Sequence, residues 1–163
     1  MKIAVSTAQG LAFGSGLPVV PISNLAAVGR RLLDRAAGAE FALACLDARM
    51  GELYAAVVAP RPDGGVDLLM ERLLRPVDLT AEMVPGAGPV VAGGHGFTAH
   101  PDLGARFGER IVATYADCLP RAEEIVRLAA LEVAAGRVLD AEHAEPIYLR
   151  DDVATKSGPR PRM

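Results

Sequence analysis

Two aliphatic runs on either side of a short charged corner restrict the possible folds of this chain more than any other feature. Residues 43–58 contain both runs, and the sequence Asp-Ala-Arg-Met-Gly-Glu at residues 47–52 separates them. This pattern predicts an antiparallel hairpin whose charged side chains gather at the turn. There, Asp47, Arg49 and Glu52 could place one cation between two carboxylates or face a partner, and a turn that is merely solvated is the alternative.

The composition predicts one ordered core and limits the classes of partner. Of 163 residues 51% are hydrophobic, and the formal net charge is -3, so any RNA contact would need a local basic patch. No apolar run approaches the roughly 20 residues of a membrane span, and no basic leader precedes one, so we expect a cytoplasmic protein. Cys45 and Cys118 stand apart in sequence, which predicts reduced thiols without a disulfide or a metal site.

The first forty residues predict a helix, a strand and a second helix. Residues 1–16 suit a helix whose small side chains would let a neighbouring backbone approach closely, although no residue caps its start. Residues 17–22 are predicted to form a short buried strand. Ser23 or Asn24 is expected to cap the second helix, which ends near residue 37 and has an inward stripe of Leu25, Val28, Leu32 and Ala36.

Beyond the hairpin, strands and helices are predicted to alternate. A turn at residues 60–65 leads to a third antiparallel strand at residues 66–75. The following elements are a short helix at 76–84, a strand at 89–92, an irregular stretch at 97–108, a strand at 110–114 and a helix at 119–135.

The helix at residues 119–135 is predicted to be the longest of the chain. Asp117 is the expected cap, Gly136 ends the helix, and Glu123 pairs with Arg127 on the outer face. The expected inward stripe contains Ala122, Ile125, Val126, Ala129 and Val133. Residues 154–163 are expected to form a mobile basic tail.

A glycine cluster after the fourth predicted strand is the one candidate for phosphate binding. Gly93, Gly94 and Gly96 surround His95, but their spacing matches neither the Walker nor the dinucleotide pattern, and a glycine cluster between a strand and a helix is more often a tight turn. The corresponding function would be a small-molecule kinase or an acyltransferase-like enzyme. The three histidines have no metal-ligand spacing, and no serine stands in a nucleophile elbow, so no catalytic residue and no metal site is predicted.

Three segments together resemble a known family. They are Asp-Ala-Arg-Met-Gly-Glu-Leu-Tyr at residues 47–54, Ala-Gln-Gly-Leu-Ala-Phe-Gly at residues 8–14 and Glu-His-Ala-Glu-Pro-Ile-Tyr-Leu-Arg at residues 142–150. In this order and spacing they are similar to the TsaB (YeaZ) family, the non-catalytic subunit of the bacterial machinery that places threonylcarbamoyl on a tRNA adenosine.

The resemblance implies an α/β, actin-like, ribonuclease-H-type (ASKHA) fold. The chain would keep an incomplete first lobe at residues 1–40 and a complete second lobe at residues 41–153, with a mixed sheet and flanking helices. The front lobe, through which such proteins pair with TsaD or with themselves, would lie upstream of residue 1. A start site placed too far downstream, or a truncation, would explain why the front lobe is not part of this sequence. Weak partner binding is then expected.

The resemblance also implies a function as a scaffold without an active site. Such proteins support TsaD together with the ATPase TsaE. A homodimer is the alternative assembly. ATP and metal would belong to these partners, the chain would hold no cofactor of its own, and it would reach tRNA only indirectly and contact no membrane.

The family resemblance suggests that the hairpin and the closing segment meet in space. The residues concerned are polar, aromatic or conformationally special, namely Asp47, Arg49, Gly51, Glu52, Tyr54, Glu145, Pro146, Tyr148 and Arg150. We expect Arg49 to lie near Glu145 or Asp47, and Arg150 to lie near Glu52. The role of these contacts would be to lock the lobe rather than to catalyse.

Overall fold

The structure, a computed structural model, describes residues 2–150, with the backbone alone for Lys2. Its helices are α1 (Lys2–Ser15), α2 (Asn24–Arg35), α3 (Gly96–Ala99) and α4 (Ala122–Ala134). Its strands are β1 (Phe41–Arg49), β2 (Glu52–Pro60), β3 (Val66–Leu74), β4 (Val90–Gly93) and β5 (Ile111–Tyr115). The predicted tail at residues 154–163 lies outside the described residues.

A five-stranded mixed sheet organises these elements in the order β3-β2-β1-β4-β5. The hairpin pairs β1 with β2 antiparallel, and β2 pairs with β3 in the same sense. The pairs β1–β4 and β4–β5 are parallel. The predicted hairpin, the third antiparallel strand and the two later strands are therefore confirmed.

The sheet is covered on both faces, which explains the nearly continuous apolar runs of β1 and β2. On one face α2 places Leu25, Val28 and Leu32 against a cluster that includes Ala44 and Val58. The other face packs against the connections after β3 and β4, through residues that include Leu43, Leu53, Leu79, Leu103 and Phe107. The hairpin strands are thus central to both apolar clusters.

Helix α2 is fixed to the sheet at its first turn. The Ser23 hydroxyl oxygen accepts hydrogen bonds from the amides of Leu25 (3.0 Å) and Ala26 (3.3 Å), and it donates to the Glu71 carboxylate on β3. The prediction of Ser23 as the cap is confirmed. Because α2 shares its apolar cluster with β1 and β2, the proposed boundary between residues 40 and 41 crosses a packed cluster, and that boundary stays a prediction.

The predicted strand at residues 17–22 is wrong. The structure has a single bridge there, in which the backbone groups of Val19 and Leu139 exchange two hydrogen bonds of 2.8 Å. Pro18 and Pro21 lack amide hydrogens, so the segment cannot extend this ladder.

Two other connections differ from their predictions. The short helix at residues 76–84 is a pair of 3₁₀ turns, Pro76–Asp78 and Ala81–Met83. The stretch predicted as irregular contains α3 and a 3₁₀ segment, Pro101–Arg110, which is interrupted at Gly108, where φ is 55°. Glycine adopts this left-handed φ without the steric penalty of a side chain.

The prediction for α4 is partly wrong. The helix begins at Ala122 after Arg121, which makes no side-chain cap, so Asp117 does not cap it, and at 13 residues it is shorter than α1 with 14. Its buried residues are Glu124 and Leu128, whereas Val126 and Val133 of the predicted stripe are 66% and 53% exposed. The outward pair of Glu123 and Arg127 at 2.6 Å is confirmed, as is the stop at Gly136, where φ is 72°.

Helix α1 forms as predicted, but residues 2–150 leave most of its surface exposed. Ile3 and Phe13 are 84% and 80% exposed, and a methyl group added at Gly10 would meet nothing within 4 Å. Gln9 donates a hydrogen bond of 3.2 Å from its amide to the carbonyl of Ala141. None of the described helices is long and apolar enough to cross a membrane.

Candidate functional site: the hairpin corner and the closing segment

The turn between β1 and β2 has an unusual backbone. Met50 and Gly51 connect the strands, and Arg49 faces Glu52 in the register after an irregularity at Asp47. The φ angles of Arg49, Met50 and Gly51 are 66°, 56° and 76°. Two-residue hairpin turns favour such left-handed angles, which cost glycine little and other residues more. Gly51 therefore has a conformational role in this turn.

Asp47 shapes the turn through its side chain. Its Oδ1 accepts a hydrogen bond of 2.9 Å from the backbone amide of Arg49, a local pattern typical of aspartate in turns. The Arg49 side chain is exposed and forms no ion pair with any residue in the described part of the chain. The predicted contact of its guanidinium with Glu145 or Asp47 is therefore wrong.

The Arg150 guanidinium contacts the corner on both sides of the turn. Its Nη2 donates to the Glu52 carboxylate at 2.5 Å and to the Ala48 carbonyl at 3.1 Å, and its Nη1 donates to Met50 Sδ at 3.4 Å. The predicted contact between Arg150 and Glu52 is confirmed. Sequence reasoning missed Ala48 and Met50, because a carbonyl and a thioether carry no pattern that marks them as partners of an arginine.

The remaining predicted site residues, Tyr54, Glu145, Pro146 and Tyr148, lie in two other places. Tyr54 is partly buried and packs, like Leu149, against the apolar cluster beneath α2. Glu145, Pro146 and Tyr148 line a shallow cleft between the closing segment and α1. On the α1 side the cleft is lined by Val5, Ser6 and Gln9. That these residues form a binding or structural motif stays a prediction.

The glycine cluster packs tightly against β1. A Cβ atom added at Gly94, where φ is 102°, would lie 2.2 Å from the Cys45 carbonyl oxygen, and one added at Gly96 would lie 2.8 Å from the same oxygen. The Gly94 amide donates to the Tyr115 carbonyl at 3.1 Å, and the side chain of His95 is exposed. Close backbone approach accounts for glycine at these positions. The phosphate site at Gly93, Gly94 and Gly96 stays a prediction.

The two thiols are held in their protonated form. Burial raises the pKa of Cys45 far above its ordinary value. Burial also raises the pKa of Cys118, an effect that nearby Arg31 and Arg35 reduce. Since the thiolate is the nucleophile and the metal ligand, neither cysteine is activated for chemistry.

One buried charged residue was not predicted from the sequence. Glu124 on α4 is 6% exposed, its Oε1 lies 4.0 Å from Nε of Arg31 on α2, and its Oε2 has no hydrogen-bond partner among the described residues. Arg31 also donates to the Leu119 carbonyl at 3.1 Å. The helical pattern alone gives no signal for this contact, because it depends on how α4 packs against α2.

An exposed group of ligand-type side chains lies before the closing segment. One ligand atom from each of Asp140, Glu142 and His143 falls within 4.8 Å of the others, and all three residues are exposed. Nothing buries or orients these atoms, and clusters of this kind are common on protein surfaces. We assign no metal to them.

Comparison with known proteins relates nearly the whole chain to one group. The family model for TsaD, tRNA N6-adenosine threonylcarbamoyltransferase, matches residues 1–157. The tRNA threonylcarbamoyladenosine biosynthesis protein TsaB of Escherichia coli K12 is 37% identical over 161 residues, which cover 98% of this chain and 68% of the relative. The chain belongs to the TsaB (YeaZ) family. The Haemophilus influenzae protein of the same name is 32% identical over 167 residues and covers the same shares.

Solved structures support the same assignment for the fold. YeaZ from Pseudomonas aeruginosa is 35% identical, with a TM-score of 0.77 over 90% of this chain and 67% of that chain. A second crystal structure from this organism, described as a protein with similarity to peptidase YeaZ, is 35% identical with a TM-score of 0.78 and covers 91% of this chain and 67% of that one. The predicted actin-like, ribonuclease-H-type fold with a mixed sheet and flanking helices is confirmed.

Proposed function

We propose that this chain is a non-catalytic scaffold subunit in the formation of threonylcarbamoyladenosine in tRNA, where it supports TsaD. The observation that carries the proposal is the likeness to two relatives named for this biosynthesis, at 37% and 32% identity over 98% of the chain. A fold alone would not justify the assignment, because one fold hosts many functions.

The contacts of the motif residues favour a scaffold. Several polar groups of the corner bind one another, since Arg150 contacts Glu52 and the Asp47 carboxylate binds the Arg49 amide, whereas the Arg49 side chain is exposed. The amide of Gly94 in the glycine cluster is engaged by the Tyr115 carbonyl. These contacts support a role in stabilising the lobe rather than in catalysis.

The proposal divides the chemistry among several proteins. TsaD and TsaE would bind ATP and metal, and the chain itself would need no cofactor. Its net charge of -3 favours an indirect approach to tRNA through these partners. A homodimer is the alternative assembly, and the cytoplasm is the proposed location.

Reconstitution tests the proposed function. The chain would replace TsaB in a mixture of TsaD, TsaE, tRNA and threonylcarbamoyl-adenylate, and mass spectrometry of the digested tRNA would measure the modified adenosine. We expect modification above the level without any TsaB, with the Escherichia coli TsaB as the positive control. Product formed when TsaD is omitted would contradict a scaffold role, and so would the absence of both product and TsaD binding.

Ligand titration separates the scaffold from the enzyme alternative. Isothermal calorimetry with ATP, ADP and acetyl-CoA, each at millimolar concentration, is expected to show no tight binding to the isolated chain. Tight binding of any of the three would favour a kinase or acyltransferase that uses the glycine cluster.

A further inference from the structure

The tip of the hairpin is strained, and of its own side chains Asp47 holds the backbone, through the hydrogen bond from the Arg49 amide. Arg49, Met50 and Gly51 follow one another with left-handed φ angles, and two of them carry a side chain that disfavours this conformation. Arg49 is exposed, and Met50 is 86% exposed. Strained backbone of this kind persists only where surrounding groups hold it in place.

A further group that holds the tip comes from the other end of the described chain. The Arg150 guanidinium binds the Ala48 carbonyl before the turn, Glu52 after it and Met50 within it. The Arg150 side chain is 15% exposed, so these contacts are partly shielded from water. A single side chain therefore spans the whole turn.

The same arginine anchors the segment that carries it. Residues 144–150, which we name the strap, contain no helix or strand. Ala144 is buried at one end, and Leu149 packs against the apolar cluster beneath α2 at the other, whereas Ile147 between them is 72% exposed. Loss of the Arg150 contacts would therefore loosen the end of the strap that carries Leu149 as well as the tip.

We propose that Arg150 joins the strap and the hairpin tip into one latch that opens and closes as a single unit. In the closed state the guanidinium holds the left-handed turn, and Leu149 packs beside the sheet. In the open state Glu52 and the Ala48 carbonyl bind water, the strap moves away, and the turn relaxes. Units of this kind open locally at a lower free energy than global unfolding. The inference does not depend on the proposed function.

Nuclear magnetic resonance on the full chain tests whether the two segments move together. In Arg150→Met the resonances of the tip amides at residues 47–52 and of the Leu149 methyl groups are both expected to shift. In Glu52→Gln, which weakens the latch from the hairpin side, relaxation dispersion is expected to give one exchange rate constant and one open population for both segments. That population should exceed the wild-type value about tenfold, the size expected for a charged hydrogen bond.

Arg127→Met is the matched control, because it removes an arginine–glutamate pair on α4 and should leave both segments unchanged. Tip resonances that stay in place in Arg150→Met would overturn the proposal, because Asp47 and Gly51 would then hold the turn alone. Two different rate constants in Glu52→Gln, or no exchange in either segment, would also overturn it. If Arg150→Met does not fold, Glu52→Gln decides the question.

Discussion

The Arg150 guanidinium and the Glu52 carboxylate form a partly buried ion pair of 2.5 Å that ties the strap to the start of β2. Their side chains are 15% and 32% exposed, so water and salt screen the pair less than they screen a surface pair. Glu52 loses its charged partner when Arg150 is removed, and the cost of that loss is larger than the cost of losing a solvated contact.

The free energy of unfolding should therefore depend on these two residues jointly. We expect a double-mutant cycle of Arg150→Ala and Glu52→Ala to give a coupling of about 1–3 kcal/mol in urea denaturation. Arg49→Ala in the same hairpin is the control and should change stability by less than about 0.5 kcal/mol, because its side chain is exposed. A coupling of zero, or an equal effect of Arg49→Ala, would contradict this account.

Features that depend on neighbouring residues could be predicted from the sequence, whereas features that depend on packing between distant segments could not. The hairpin and the Ser23 cap depend on neighbouring residues, so apolar runs, turn residues and capping residues were enough to predict them. The inward face of α4 depends on a contact between Arg31 and Glu124, which no local pattern reveals. The segment at residues 17–22 is apolar enough for a strand, but its prolines limit it to one bridge.

The candidate site also has one contact that was predicted and one that was not. The resemblance suggested that the hairpin and the closing segment meet, and the structure shows Arg150 at Glu52. Both arginines of these motifs were expected to pair, because both lie near carboxylates, and the sequence could not show that Arg150 alone of the two does so. Backbone geometry decides it, since the left-handed turn directs the Arg49 side chain into solvent.

Substitution of Gly29 tests how closely α2 approaches the sheet. A Cβ atom there would lie 2.5 Å from Val58 Cγ2, and Val58 is fully buried. Gly29→Ala should therefore destabilise the protein by about 1–3 kcal/mol through overpacking, despite the higher helix propensity of alanine. Gly10→Ala in α1 is the control, since nothing lies within 4 Å of its new methyl group, and a gain of about 0.5–1 kcal/mol is expected. Thermal or urea unfolding that shows equal effects would disprove the close contact.

Removal of Arg31 should reveal the cost of the buried Glu124 carboxylate. The two side chains are 13% and 8% exposed, and Arg31→Met would leave the carboxylate without a nearby cation. We expect Arg31→Met to lower the free energy of unfolding by about 3 kcal/mol in urea denaturation. Most of this stability should be recovered in the double variant Arg31→Met/Glu124→Met, which buries no charge. Arg127→Met, from an exposed pair, should cost less than about 1 kcal/mol. A double variant less stable than Arg31→Met would show that Glu124 has a partner of another kind.

Glu132 links α4 to the β2–β3 turn and should make stability depend on pH. Its carboxylate accepts hydrogen bonds from Arg137 at 2.9 Å and from Arg61 at 3.3 Å. The hydrogen bond from Arg137 is the main cause that lowers the pKa of Glu132 below its ordinary value near 4.5, and Arg61 adds to the effect.

A carboxyl group whose pKa is lower in the folded state than in the unfolded chain stabilises the folded state while it is ionised in both. The contribution of Glu132 should therefore be complete above its ordinary pKa and disappear as the pH falls through the lower, folded-state value. The measurement is the difference in unfolding free energy between wild type and Glu132→Gln at a series of pH values from 7 to about 2, in which the titration of shared groups such as Asp63 largely cancels. The difference should be constant near neutral pH and shrink below pH 4.5. In an Arg137→Met background most of this pH dependence should be lost, and a difference that persists unchanged there would assign the effect to another group.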